Sequence, residues 1–127
     1  MLVTPRDSKK VRFPRDLGQF TLIGFAQGCS YRKRIEEWLG SETVMPGRVL
    51  EFASYQAMIA CVAAGTGFAV VPRSVLENLR AIDAIHEHPL PKQYSHNRTH
   101  LAWHGDPSPA LNGLIDILAC AKLRRTR

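Results

Sequence analysis

Residues 59–72, IACVAAGTGFAVVP, decide the fold of this chain. Apolar residues recur at helical spacing in this stretch and just before it, at Met58, Ile59 and Val62. The helix that they form begins at Ser54, a residue type that caps helices, and ends at Gly65. The run 68–71 is continuously apolar, which is typical of a strand covered on both faces, and Pro72 ends it. The stretch therefore predicts a helix followed by a buried strand.

The same alternation extends toward the N-terminus. Residues 21–25 are a short apolar run, and residues 48–52 are a second strand candidate that leads into the helix at Ser54. Between the two runs lies a helix that ends at Gly40 and has one apolar face, formed by Tyr31, Ile35, Trp38 and Leu39. The order β-α-β-α-β predicts an α/β fold with a parallel, doubly wound sheet and right-handed crossovers.

The segment before this core carries no such pattern. Residues 1–20 are polar overall and are broken by Pro5, Pro14 and Gly18. We therefore expect residues 1–18 to be a connecting segment rather than a packed element.

The segment after the core predicts further elements. These are a short helix within 72–79, a strand over 82–87, a connection over 88–97 and a strand over 99–103. Ser108 and Pro109 are a good helix start, with the serine as N-cap and the proline in the first turn. The apolar stripe of this last helix consists of Leu111, Leu114, Ile115 and Leu118.

Composition is that of an ordinary globular protein of one domain, with 127 residues, 45% hydrophobic and 22% charged. No apolar run approaches the roughly 20 residues of a transmembrane helix, and residues 1–5 lack the regions of a signal peptide. The cysteines are odd in number and have no paired spacing: Cys29, Cys61 and Cys120. We expect reduced thiols, a cytoplasmic location and no membrane contact.

The formal charge of +6 does not by itself predict a nucleic-acid surface, because the positive residues fall in three separate places. They are Arg6, Lys9, Lys10, Arg12 and Arg15 near the N-terminus, Arg32, Lys33 and Arg34 at a helix start, and Lys122, Arg124, Arg125 and Arg127 in the tail. Glu36 and Glu37 follow the helical group by one turn, which indicates solvated ion pairs. We expect no direct contact between this chain and DNA.

Three loops are candidates for a ligand site, because ligands of open parallel sheets bind beyond the carboxyl ends of the strands. Their residues are Gly28, Cys29, Ser30 and Tyr31 in the first loop, Ser54 and Tyr55 in the second, and Pro72 and Arg73 in the third. Free N–H groups at a helix start attract a carboxylate or another small anion, and Arg73 would add a counter-charge. Convergence of the loops would make one polar cleft. The alternative is that Ser30 and Ser54 only cap their helices.

Catalysis and metal binding have less support. Cys29 lies at a predicted helix start, where a thiol becomes more nucleophilic, but it needs a base. The histidines lie in no recognisable catalytic context: His86, His88, His96, His100 and His104. His86 with His88, and His100 with His104, would share strand faces, yet strong metal-ligand spacing is absent. We expect no enzyme activity, no cofactor and no metal.

Three stretches together resemble the effector domain of LysR-type transcriptional regulators. Within residues 21–39, TLIGF, GCSYR and IEEWL look like the strand, ligand loop and helix that open the family's second sensor subdomain. Residues 51–58, EFASYQAM, look like its next strand-to-helix junction. Residues 59–72 resemble the family's helix, glycine turn and buried strand ending at proline. The resemblance covers most of residues 11–123.

The resemblance implies a fold of the periplasmic-binding-protein type II class, in which two α/β subdomains enclose a small effector. It makes residues 19–91 the second subdomain, and residues 92–127 the crossover strand and C-terminal helix of an incomplete first subdomain. Ser30 and its neighbours, Ser54 and the loop at Pro72 would line one wall of the ligand cleft.

The resemblance also implies the partners. The expected ones are a small-molecule effector, an organic anion, and further copies of the chain in an oligomer. DNA would be contacted only through a winged helix-turn-helix domain that these residues do not contain. The alternative function is that of a fragment of a solute-binding protein or enzyme built on the same fold.

Overall fold

The computed structural model describes residues 1–78, 82–96 and 100–124. The chain forms two compact units, Met1–Asn97 and Arg98–Arg127. The first unit contains a five-stranded sheet, and the second contains one long helix.

The sheet of the first unit has the strand order β3-β2-β4-β1-β5. Its strands are β1 Leu2–Pro5, β2 Thr21–Gly24, β3 Arg48–Glu51, β4 Phe68–Val70 and β5 Ile85–His88. β2 is parallel to β3 and to β4, whereas β1 is antiparallel to β4 and to β5. The α/β class and the parallel core are confirmed, and the reversed β1 makes the sheet mixed rather than wholly parallel.

Helices cover this sheet on both faces. The two long helices of the unit are α1, Ser30–Gly40, and α2, Tyr55–Ala63. Successive residues of a strand point to opposite faces. Leu22 of β2 therefore packs in the core that contains Ile35 and Trp38 of α1. The next residue, Ile23, packs in the core that contains Met58 of α2. Burial on two sides explains why β4 is apolar throughout.

The expectation that residues 1–18 are a connecting segment is wrong for Leu2–Pro5, which form a strand of the sheet. β1 lies between β4 and β5, and its residues Leu2 and Val3 are buried. Leu2 pairs with both Val70 and His88, so this short strand joins β5 to the rest of the sheet. Pro5 interrupts no ladder because it is the last residue of β1. Four residues followed by a polar, proline-containing segment are too few for a periodic pattern to stand out.

Short elements complete the first unit. They are α3 Arg73–Leu76, α4 Lys92–Ser95, and two 3-10 turns, Pro14–Leu17 and Ile82–Ala84. The strand expected over 82–87 begins only at Ile85, after the second of these turns, and extends to His88. The helix predicted within 72–79 is confirmed as the single turn α3, and residue 79 lies outside the described residues.

The second unit contains the predicted last helix, α5, Pro109–Arg124. The Ser108 hydroxyl accepts a hydrogen bond from the Leu111 backbone N–H over 3.3 Å, which confirms the predicted helix start. The strand expected over 99–103 is wrong for residues 100–103, which form no regular structure, and Thr99 lies outside the described residues. No helix in the described ranges is long and apolar enough to span a membrane.

The glycine turn before β4 has a steric cause. Gly65 follows α2 with a φ of +84°, a conformation that residues with a Cβ rarely adopt. At Gly67 the limit is space, since a Cβ there would lie 2.1 Å from the carbonyl oxygen of Thr21 on β2. The two glycines therefore let the chain leave α2 and enter β4 directly against β2.

Replacing Gly67 by alanine should lower the free energy of unfolding, because the new Cβ forces β4 away from β2. Overpacking of this kind costs about 1–3 kcal/mol. The measurement is the urea midpoint, with Gly40→Ala as matched control, because a Cβ at Gly40 meets nothing within 4 Å. Equal midpoints for Gly67→Ala and the native chain would contradict the close approach.

His88 of β5 is hydrogen-bonded both to β1 and to the segment that follows β1. The residue is only 2% exposed. Nδ1 accepts a hydrogen bond from the Val11 backbone N–H at 3.2 Å, and Nε2 lies 2.9 Å from the Thr4 hydroxyl, to which it donates. This arrangement requires the neutral ring with its proton on Nε2. Burial lowers the pKa of His88, and the nearby His86 and Lys10 lower it further.

The free energy of unfolding should therefore fall as the pH drops below 6.5, the ordinary pKa of histidine. The unfolded chain takes up the proton first, because the folded pKa is the lower one, so the contribution is complete above 6.5 and lost as the pH falls toward the folded pKa. Urea unfolding across this pH range tests this expectation. His88→Gln should reduce the pH dependence of the free energy of unfolding, and replacement of the exposed His104 by glutamine should not. An equal change of the free energy with pH in the native chain and both variants would refute the role of His88.

Candidate functional site

The carboxyl ends of β2 and β3 open onto a depression of about 540 Å³. The loops that follow these two strands form it, together with the first turns of α1 and α2. Its lining consists of Phe25, Ala26, Gln27, Cys29, Ser30, Tyr31, Phe52, Ala53 and Tyr55. A volume of this size suits a small organic molecule. The depression lies at the sheet edge where a parallel sheet is expected to bind its ligand.

Aromatic rings form the walls of the depression. The Phe25 and Tyr55 rings meet edge to face with centroids 4.8 Å apart, and Tyr31 lies 6.3 Å from Tyr55 in a similar orientation. Burial, with smaller contributions from the neighbouring Tyr31 and Cys29, raises the pKa of Tyr55 to about 12. The Tyr55 phenol therefore keeps its proton near neutral pH and remains a hydrogen-bond donor.

The structure brings half of the predicted site residues together. Cys29, Ser30, Tyr31 and Tyr55 line the depression. Gly28 belongs to the same loop and has a φ of +94°, so it shapes the loop without lining the depression. No side chain caps α1, whose N-cap is Cys29, and the capping alternative therefore does not describe Ser30.

The capping alternative does describe Ser54. Its hydroxyl accepts a hydrogen bond from the Ala57 backbone N–H over 3.5 Å and donates one to Gln56 Oε1 over 2.8 Å. Ser54 is the N-cap of α2 and is not among the residues that line the depression. Its neighbours Ala53 and Tyr55 are the residues of this loop that line the depression.

The third loop does not converge with the other two, contrary to the expectation of one cleft formed by three loops. Arg73 lines a separate hollow of about 240 Å³ with Leu76, Glu77 and Glu87, and Pro72 is the N-cap of α3. Met1 occupies the position beside the end of β4. Its ammonium donates to the Val71 carbonyl at 2.8 Å, and its own carbonyl accepts from the Val71 N–H at 3.0 Å.

Arg32 has a role that the sequence pattern did not indicate. The residue is only 7% exposed, so the expected solvated pairing is wrong for it, although the exposed Lys33 does pair with Glu37 at 3.9 Å. Arg32 donates to Glu36, to the Phe25 carbonyl at 3.1 Å and to Glu51 at 3.3 Å. No local sequence signal marks this burial, since two of the three partners lie on other strands and loops.

The catalytic and metal alternatives gain no geometric support. Cys29 lies at the depression as a free thiol, but no histidine, aspartate or glutamate of the described residues lines that space with it. His86 and His88 lie on one strand with ring centroids 4.4 Å apart. Within the described ranges no group of three or more His, Cys, Asp or Glu side chains could hold a metal ion.

The family model of the LysR substrate binding domain matches residues 1–122 of the chain. The chain belongs to the LysR substrate-binding domain family. This match extends the resemblance seen in residues 11–123 to β1. The family consists of ligand-binding domains of transcriptional regulators and is not an enzyme family, in agreement with the expected absence of catalysis.

Relatives of this LysR substrate-binding domain are transcriptional regulators. The chain is 39% identical to the HTH-type transcriptional regulator CzcR of Bacillus subtilis over 80 residues, 63% of this chain and 28% of the regulator. CzcR of Bacillus anthracis is 37% identical over 73 residues, 58% of this chain and 25% of the regulator.

A third relative matches over a longer stretch. The HTH-type transcriptional regulator GltR of Bacillus subtilis is 30% identical over 117 residues, 91% of this chain and 40% of the regulator. The chain thus spans from a quarter to two fifths of the length of these regulators. All three favour a regulator over a fragment of a solute-binding protein or enzyme.

Proposed function

We propose that this chain senses a small organic anion for a LysR-type transcriptional regulator. The observation that carries the proposal is the depression at the carboxyl ends of β2 and β3, lined by Cys29, Ser30, Tyr31 and Tyr55. These are residues of the loops that the family resemblance assigns to the effector wall. No acidic side chain of the described residues lines the depression, so nothing on this wall repels an anion.

The proposed ligand has an anionic group and an apolar body. The first N–H groups of α1, at Ser30 and Tyr31, have no partner within the helix and attract negative charge. The Ser30 hydroxyl and the protonated phenol of Tyr55 supply further donors. The rings of Phe25 and Phe52 would pack against the apolar body. Pro72 and Arg73 are left out of the proposed contacts because they line no part of this space.

The division into subdomains remains part of the proposal. Residues 19–91 together with β1 would be the second subdomain of a periplasmic-binding-protein type II fold, and residues 92–127 would belong to the first. The effector would then lie between this wall and a wall of the first subdomain. DNA contact would come from a helix-turn-helix domain of the same regulator, acting in the cytoplasm.

Benzoate and a series of other small carboxylates should raise the melting temperature of the chain in a dose-dependent way, because a ligand that binds only the folded state stabilises it. Ser30→Ala should weaken binding by about 1 kcal/mol through loss of one neutral hydrogen bond. A thermal-shift titration measures both effects.

The matched control for this titration is Ser41→Ala. Ser41 follows the opposite end of α1, where its hydroxyl donates to the Trp38 carbonyl, so this variant should alter stability without altering the ligand response. A Ser30→Ala chain that folds normally and binds with unchanged affinity would remove Ser30 from the site.

We propose further that the chain self-associates through α5. Its apolar residues Leu114, Ile117 and Leu118 are exposed, as are Leu101 and Trp103 of the same unit. Apolar side chains of this size, grouped on one helix, favour burial against another surface. A homo-oligomer would provide that surface.

Ile117→Lys should shift the chain toward monomer, because Ile117 is 67% exposed and a lysine there would place a charge in the contact. Sedimentation velocity over a concentration series is the measurement. Asn112→Lys adds the same charge at an exposed polar position of α5 and should leave association unchanged. A native chain that is monomeric at every concentration would contradict self-association through this helix.

A further inference from the structure

Arg32 is the one buried arginine of the described residues, and it contacts the residues from which the loops of the depression depart. Its Nε donates to Glu36 Oε1, one turn along α1. Its Nη1 donates both to the Phe25 carbonyl at 3.1 Å and to Glu51 Oε1 at 3.3 Å. One guanidinium group thus contacts α1, the residue after β2 and the last residue of β3.

The positions of these partners make the contacts informative. Phe25 is the first residue of the loop after β2, and its ring packs edge to face on Tyr55. Glu51 is the last residue of β3, and the next residue, Phe52, donates its N–H to the Gly24 carbonyl at 2.9 Å. Arg32 therefore connects the two points from which the loops of the depression depart.

Arg32 is not placed to touch a ligand in the depression. It is absent from the lining of the depression, and its Nε and Nη1 are engaged by Glu36, Glu51 and the Phe25 carbonyl. The two carboxylates also neutralise its charge, which favours a structural use over attraction of an anion. The planar fork of an arginine can reach partners in several directions at once, which a lysine ammonium does not reproduce.

We propose that Arg32 is the positioning residue of the effector site: it holds the loop after β2 and the loop after β3 in one fixed arrangement. The carbonyl of Phe25 and the carboxylate of Glu51 are the points at which it does so. Binding at either loop is then coupled to the other through this guanidinium group. The inference rests on the proposed function in taking these loops as the effector loops.

Amide hydrogen exchange of the full 127-residue chain tests the proposal without a ligand. In Arg32→Lys, exchange in residues 25–31 and 51–55 should quicken by about tenfold while α5 and the pairing of β1 with β5 keep their native rates. Glu51→Gln, which keeps the shape and removes one charged partner, should quicken the same segments to a smaller extent. Lys33→Ala is the matched control on the adjacent residue and should change neither loop.

Faster exchange confined to the two loops supports the positioning role. Unchanged loop exchange in both Arg32→Lys and Glu51→Gln, or a uniform increase across the whole chain, would overturn it. If Arg32→Lys does not fold, the comparison of Glu51→Gln with Lys33→Ala decides the question alone.

A thermal-shift titration with benzoate separates this proposal from the proposed function. Loop-specific exchange together with a benzoate response that weakens in Arg32→Lys supports both. Loop-specific exchange with no response to benzoate or the other carboxylates counts against the effector site while leaving the positioning role intact. A benzoate response that is equal in Arg32→Lys and the native chain would refute the coupling, whatever the exchange rates.

Discussion

The pairing of β1 with its two neighbours is the constraint on which the first unit depends. Leu2 faces Val70 on one side and His88 on the other, so β5 is joined to the parallel strands only through β1. The same strand brings Met1 against Val71 and brings the Thr4 hydroxyl to the His88 ring. Met1 thereby pairs with the residue that follows β4, while the depression described above opens at the ends of β2 and β3.

Much of this fold could be predicted because its signals lie inside each element. The succession from β2 to β4 follows from apolar runs that end at Gly40, Gly65 and Pro72. Gly65 adopts a φ of +84° after α2, and Pro72 lacks the N–H that a further strand residue would donate, whereas Gly40 is an ordinary last residue of α1. Gly67 carries a further signal, since only a residue without Cβ lets β4 approach Thr21. Local rules succeed where the physical cause is local.

The features that were missed depend on partners far along the chain. β1 is a strand because β4 and β5 lie on either side of it, at a sequence distance of about 65 residues or more, as in the pair Val3 and Ala69. Arg32 looked like one member of an exposed i,i+4 pair, and its burial depends on Glu51 and on the Phe25 carbonyl. Arg73 was assigned to the cleft because β4 is parallel to β2, but it lines a separate hollow with Leu76, Glu77 and Glu87 of β5. A short window of sequence shows none of these long-range contacts.

The distribution of charge around the depression argues for how an anion would be held there. Arg32 is hydrogen-bonded to the carboxylates of Glu36 and Glu51, and Arg73 lines a different hollow. Neither guanidinium group therefore lines this wall. In the proposed anion site the attraction would come from the N–H groups at the start of α1 and from hydroxyl donors, which are weaker than a guanidinium group and directional. Directional donors beside aromatic rings would select a ligand by shape as well as by charge. Selection by shape requires loops in a fixed arrangement. The proposed role of Arg32, which positions the two loops and does not bind the anion, is consistent with this requirement.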